Sequence, residues 1–190
     1  MKLYVSGGAF ILLAAMVLIL PLQWVAAVII AAAVHELCHC IALMLAGVQI
    51  LSISIGGRGI TISTQGLYGW REILCAMAGP VGSLSLLLWA RWIPRTALCG
   101  LFHGVYNLLP ILPLDGGRVF RGILQCLFAP PRATKLCRWS QRCFRLLLII
   151  VCTLFISKVG ILAVIFGIFL LAKKPFWRYN IRNTDKGERL

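Results

Sequence analysis

Residues 24–47 (WVAAVIIAAAVHELCHCIALMLAG) are apolar, small or cysteine except at three central positions, His35, Glu36 and His39. A run of this length and character reads as a membrane-crossing helix, since a bilayer core takes about 20 helical residues. Its polar cluster then needs a reason, because an ionisable side chain at membrane depth costs several kcal/mol unless compensated. In a helix, residues four apart lie about 40° apart around the axis, so His35 and His39 project from one face. Two imidazoles so placed can grip zinc, and Glu36 beside them can serve as general base on a water activated by the metal. A bound dication also compensates the carboxylate.

The rest of the chain supports a membrane class. It is 61% hydrophobic and 13% charged, with a mean hydropathy of +0.93, as in a polytopic membrane protein. Apolar segments occupy about 5–20, 24–47, 72–93, 96–114 and 144–172. The first resembles a signal peptide in length, but no small-residue cleavage site follows it, so it reads as a retained helix. The net charge of +14 suggests nucleic acid at first sight. The basic residues lie next to apolar segments, however, where topology and anionic lipid explain them, and no nucleic-acid-binding motif accompanies them. Eight cysteines are scattered without a C-x-x-C pair and read as buried free thiols.

Residues 48–64 alternate Ile50, Ser52 and Ser54 against Leu51, Ile53 and Ile55, then turn through Gly56-Gly57-Arg58-Gly59 into a second short run. This pattern predicts a β-hairpin, seated at the interface or against protein because hydrocarbon forbids an open sheet edge. Such an edge can add an extended peptide as a further strand, or the segment can be a plain surface connector. Within 144–172, Ser157-Lys158-Val159-Gly160 suggests a tight turn between two short helices. With that turn, 16 of the 19 basic residues fall on the cytoplasmic side and six helices cross with both termini inside. The expected fold is therefore all-α and polytopic, with about six transmembrane helices and a short membrane-associated β-hairpin. A single integral-membrane domain spans 1–172, followed by a basic cytoplasmic tail over 173–190.

A second constellation lies at 107–118, NLLPILPLDGGR. Pro110 and Pro113 break the helix, and irregular backbone at membrane depth is tolerated where it lines a cavity. Asp115 can complete a two-His, one-carboxylate zinc site with a fourth position for water, or it can cap the next segment and pair with Arg118. Gly116 and Gly117 permit close backbone approach.

Taken together, H-E-L-C-H at 35–39, Ala78-Gly79-Pro80 and N-L-L-P-I-L-P-L-D-G-G at 107–117 resemble the site-2 protease family of intramembrane zinc metalloproteases. The likeness covers about residues 24–125. It is greatest to the compact bacterial branch that includes the sporulation pro-sigma-factor processing protease. The resemblance implies His35, His39 and Asp115 as Zn2+ ligands and Glu36 as catalytic base. It also implies that Asn107 polarises the scissile carbonyl or steadies the substrate backbone, and that Gly56 and Gly57 belong to a substrate-engaging hairpin. Ser83, where the family often has Asn, weakens the expectation of a polar role there. His103, four residues before Asn107, reads as a partner of the site, a gating group or a satisfied buried histidine. Cys38 reads as a small packing residue.

The expected activity is zinc-dependent hydrolysis of a peptide bond in a membrane-embedded or membrane-associated protein, in regulated proteolysis of a transcription factor on the resemblance. The expected partners are that substrate, a membrane regulator and the lipid bilayer, with no nucleic acid, in a bacterial cytoplasmic membrane. A client-binding pseudoprotease and a metal-ion transporter are the alternatives, and the intact Glu36 favours the enzyme.

Overall fold

The structure, a computed structural model, describes residues 2–56, 59–64 and 66–159. Six helices are present among these residues: α1 (Gly7–Ile19), α2 (Leu22–Leu45), α3 (Trp70–Ser85), α4 (Pro94–Asn107), α5 (Asp115–Leu127) and α6 (Pro130–Val159). A 3-10 turn, Leu86–Trp89, prolongs α3. A three-stranded sheet of order β1-β2-β3 accompanies them, formed by Lys2–Val5, Ile50–Gly56 and Gly59–Thr64.

The apolar run chosen from the sequence becomes α2. It buries Ala27, Ala31, His35, His39 and Leu43, a stripe of strict four-residue spacing, together with Val25. Helical rise gives its 24 residues a length of about 36 Å, enough to cross a bilayer. The helix ends where Gly47 takes a left-handed conformation (φ 66°). Val48 N–H then donates to the Leu43 carbonyl and Gly47 N–H to that of Met44, the paired bonds of a Schellman end. This turn sends the chain into β2.

Among the described residues, Leu22–Leu45 and Trp70–Trp89 are long and apolar enough to cross a membrane, and Gly7–Ile19 is a shorter apolar helix. The expected fourth apolar segment is divided differently. Helix α4 stops at Asn107, residues 108–114 are irregular with a cis Leu112–Pro113 bond, and Asp115 opens α5. The two prolines account for this break. Residues 157–159, expected in a tight turn, continue α6, because no glycine or proline interrupts the helix before Gly160. The second half of that hairpin, 160–172, and the basic tail lie outside the described residues.

The hairpin forms as expected, β2 pairing antiparallel with β3 and Gly56 facing Gly59. Gly57 lies outside the described residues. An irregularity between Ile50 and Ser52 displaces Leu51, which stands 50% exposed. The strand β1 was not expected: it pairs parallel with β2, Lys2 opposite Ser52 and Val5 opposite Ile55. Parallel strands need a crossover, and α1 with α2 supplies it.

Candidate metal centre

Helices α2, α3 and α5 assemble the site. The stripe of α2 delivers His35 and His39 into the interior, 2% and 5% exposed. Asp115 arrives as the first residue of α5, 7% exposed. Its placement depends on Gly116 and Gly117, whose positions lie against the backbone of 108–112. A Cβ on Gly116 would fall 2.6 Å from the Leu109 carbonyl oxygen, and one on Gly117 2.8 Å from that of Ile111. The D-G-G sequence lets the start of α5 fold back onto the proline-broken segment.

The three side chains converge on one point. Asp115 Oδ2 lies 3.0 Å from His35 Nε2 and 3.0 Å from His39 Nε2, and the two nitrogens are 3.2 Å apart. Three ligands in a tetrahedral zinc shell at 2.0–2.1 Å would stand about 3.3–3.4 Å from one another, so the triangle has the right size. The donor set fits as well. His39 Nδ1–H donates to the Cys75 carbonyl at 2.7 Å, which leaves Nε2 of the neutral ring as a lone pair facing the carboxylate. Two such acceptors at this distance require a cation or a proton between them. His35, His39 and Asp115 are the only group of three metal-ligating side chains so placed among the described residues.

Helix α3 supports the centre with residues on one buried stripe. Cys75 gives its carbonyl to His39, Ser83 Oγ sits 2.8 Å from His35 Nδ1, and Gly79 lies between them. A Cβ on Gly79 would press on His39 and stand 2.7 Å from His35 Nε2, so this position admits only hydrogen. Pro80 removes one helical N–H and loosens this turn of α3. Ser83 corrects the sequence expectation: the hydroxyl is fully buried and does play a polar part, orienting a histidine ring as partners of metal ligands commonly do. The next helix packs closely behind, since a Cβ on Gly100 would meet the Ser83 carbonyl at 2.7 Å.

The remaining sequence candidates are placed as follows. Glu36 is partly buried on α2, within electrostatic reach of His39, His35 and Asp115. Asn107, the last residue of α4, donates from Nδ2 to the His103 carbonyl at 3.0 Å, a bond within its own helix. His103 meets His35 edge to face with ring centroids 4.5 Å apart, and it borders a cavity of about 480 Å³ lined also by Val28, Ala31, Cys99, Phe102 and Tyr106. Cys38 packs on Gly82 of α3, in keeping with a small packing residue. Gly56 lies in the sheet, near Ser6 rather than among the metal-ligating side chains.

Sequence reasoning missed Glu72. It is 0% exposed, accepts a 3.0 Å bond from Arg121 Nε and a second from Arg121 Nη2, and lies 3.9 Å from Arg118 Nε. Arg118 Nη1 in turn donates to Asp115 Oδ1 at 3.4 Å. The charge pattern sets Arg118 and Arg121 among the cytoplasmic basic residues, and only the pairing of Arg118 with Asp115 is foreseen from the sequence. Both are partners of buried carboxylates. The signal was available: a carboxylate within an apolar helix calls for a partner.

Comparison with known proteins agrees with this geometry. The profile of Peptidase family M50 matches residues 73–151, which include Gly79, Ser83 and Asp115. A Synechocystis sp. protein named as a candidate zinc metalloprotease is 31% identical over 107 residues, covering 47% of this chain. The chain spans only 28% of that relative's length. The fold matches that of the site-2 protease from Methanocaldococcus jannaschii with a TM-score of 0.66 at 20% identity, over 88% of this chain and 86% of the other. Family profile, curated relative and fold all agree with the buried His35–His39–Asp115 centre: over residues 73–151 the chain is similar to M50 metallopeptidases, and its fold is that of a site-2 protease.

Proposed function

We propose that the protein is an intramembrane zinc endopeptidase. The observation that carries this reading is the convergence of His35 Nε2 and His39 Nε2 of the apolar helix α2 with Asp115 Oδ2 of α5 in the buried interior, with Glu36 adjacent in sequence. His35, His39 and Asp115 would hold the ion. Zinc bound there supplies Lewis acidity, lowering the pKa of a water to about 7 and polarising a carbonyl. Glu36 accepts the proton of the attacking water and delivers it to the leaving amine nitrogen. Asn107 steadies the substrate backbone once its amide leaves the His103 carbonyl. Ser83 and Cys75 keep the imidazoles aimed.

The substrate is a membrane-embedded or membrane-associated protein segment, unwound locally so that its carbonyl is accessible. Strand addition to the β2–β3 hairpin, with Gly56 at the end of β2 and Gly57 next to it in sequence, would hold that segment extended. Release of a membrane-held transcription factor, with a membrane regulator, is the biological setting that the resemblance favours. The resemblance favours a bacterial cytoplasmic membrane, and the charge distribution favours six crossings with both termini inside, 1–172 as the protease domain and 173–190 as a cytoplasmic tail. Ion transport is less well supported, because the cavity behind His103 is lined mainly by apolar side chains.

The test uses the full chain in liposomes with single-span peptides carrying helix-loosening Gly or Pro residues. Wild type is expected to hold one zinc and to yield two fragments whose masses sum to the peptide plus one water. Glu36→Gln is expected to keep zinc and lose cleavage. Metal loss from Glu36→Gln, or unchanged cleavage, overturns the assignment.

A further inference from the structure

Glu72 has no place in the reaction above, yet it is the most deeply buried charge near the site. A carboxylate at this depth is costly, and replacing a buried ion pair by apolar side chains is often neutral or stabilising. Bracing α3 against α5 therefore does not by itself account for it. Its connections do. Arg121 grips both carboxylate oxygens of Glu72, which fixes the carboxylate at the foot of α3. Arg118, one turn earlier on α5, lies between two anions: its Nε is 3.9 Å from Glu72 Oε1 and its Nη1 3.4 Å from Asp115 Oδ1. Asp115 thus divides its oxygens, Oδ1 to the guanidinium and Oδ2 to the two imidazoles.

We propose that Glu72 is a positioning residue for the metal centre: it holds Arg118 on Asp115 Oδ1 and thereby presents Oδ2 alone to His35 and His39. Two effects share this sign. Geometrically, the single Arg118 Nη1–H contact engages Oδ1 and leaves Oδ2 to the imidazoles. Electrostatically, the two carboxylates balance Arg118 and Arg121. Without Glu72, Arg118 loses the anion that faces its Nε and is free to draw Asp115 away from the histidines. The inference rests on the zinc reading of the site and adds a residue to it that touches neither metal nor substrate.

A double-mutant cycle on zinc affinity tests it, measured on the purified full chain by competition with a chromophoric chelator. Partners of ligands typically contribute about 10–100-fold in metal affinity. Glu72→Gln is expected to weaken zinc binding at least about 10-fold. In an Arg118→Gln background, the same substitution is expected to change it by less than about 3-fold. Affinity within 2-fold of wild type for Glu72→Gln, or an equal loss in both backgrounds, overturns the proposal and leaves Glu72 as a brace. Should Glu72→Gln not fold, Glu72→Asp keeps the charge and withdraws it by one methylene. It is then expected to weaken binding several-fold in the wild-type background only, and equal behaviour in both overturns the proposal. Absence of zinc from wild type, or zinc insensitive to His35→Ala, would instead remove the reading on which the inference rests.

Discussion

The two ends of the chain's architecture solve opposite problems. Around His35, His39 and Asp115, polar atoms sit inside apolar helices, and each is tied to a named partner: Ser83, the Cys75 carbonyl and Arg118. Helix α3 approaches so closely there that Gly79 has no room for a methyl group. At the N-terminal end, α1 has no buried residue, and Phe10, Ile11, Leu18 and Ile19 are each more than 60% exposed. The sheet beside it is half-buried, with Leu51 and Tyr4 outward. In water such a surface would mark a docking site or an aggregation hazard. On a membrane protein it meets lipid tails, which offer no hydrophobic drive for it to bury itself. Close packing is therefore concentrated where chemistry needs fixed geometry, and the periphery is left to lipid and, on the proposed reading, to substrate.

Four measurements can break this contrast or sharpen it. The largest effect belongs to the site. Glu36→Gln is expected to reduce peptide hydrolysis at least about 10²–10⁴-fold with zinc retained. His35→Ala, His39→Ala and Asp115→Ala are each expected to lose both, by metal analysis of the purified chain. Hydrolysis surviving in any of the three would break the contrast outright.

Next comes a pair of identical substitutions in the two regions. Gly79→Ala is expected to weaken zinc binding at least about 10-fold and to destabilise the fold by about 1–3 kcal/mol through overpacking. Gly7→Ala, at a position with nothing within 4 Å, is expected to change stability by less than about 1 kcal/mol. Equal melting shifts for the two variants in detergent would show that the periphery is packed as tightly as the centre.

A smaller effect is expected from Ser83→Ala. Loss of one bond to His35 should cost about 1 kcal/mol of stability and weaken zinc binding by about 10-fold, while Ser83→Thr, which retains a hydroxyl, should recover part of the affinity. No change in affinity for Ser83→Ala would mean that His35 is held by packing alone. The smallest stability effect lies in the sheet. Thr61→Lys on β3, at an exposed position, is expected to shift stability by under about 0.5 kcal/mol. If the hairpin holds substrate, it should raise KM with kcat little changed. A melting shift of several degrees would instead make the sheet part of the packed core.

The sequence was sufficient wherever the information was local. H-E-x-x-H on an apolar helix places two imidazoles one turn apart whatever surrounds them, because helical geometry alone fixes that relation. Pro110 and Pro113 forced the break before Asp115, and glycines around a period-two pattern announced the hairpin. Which partners those residues meet was a tertiary matter. Asp115 lies 80 positions from His35, and only the fold-back of α5 on 108–112 brings them together. Ser83 and the Cys75 carbonyl serve the histidines only because α3 lies against α2. The pairing of β1 with β2 joins positions some 50 residues apart, beyond any local periodicity. The pairing of Arg118 with Asp115 was legible from their spacing, but that of Glu72 with Arg121 and Arg118 was not, since a charge's role depends on what sits opposite it. Local backbone preferences are written residue by residue, whereas electrostatic compensation in a medium without water is decided by which helices touch.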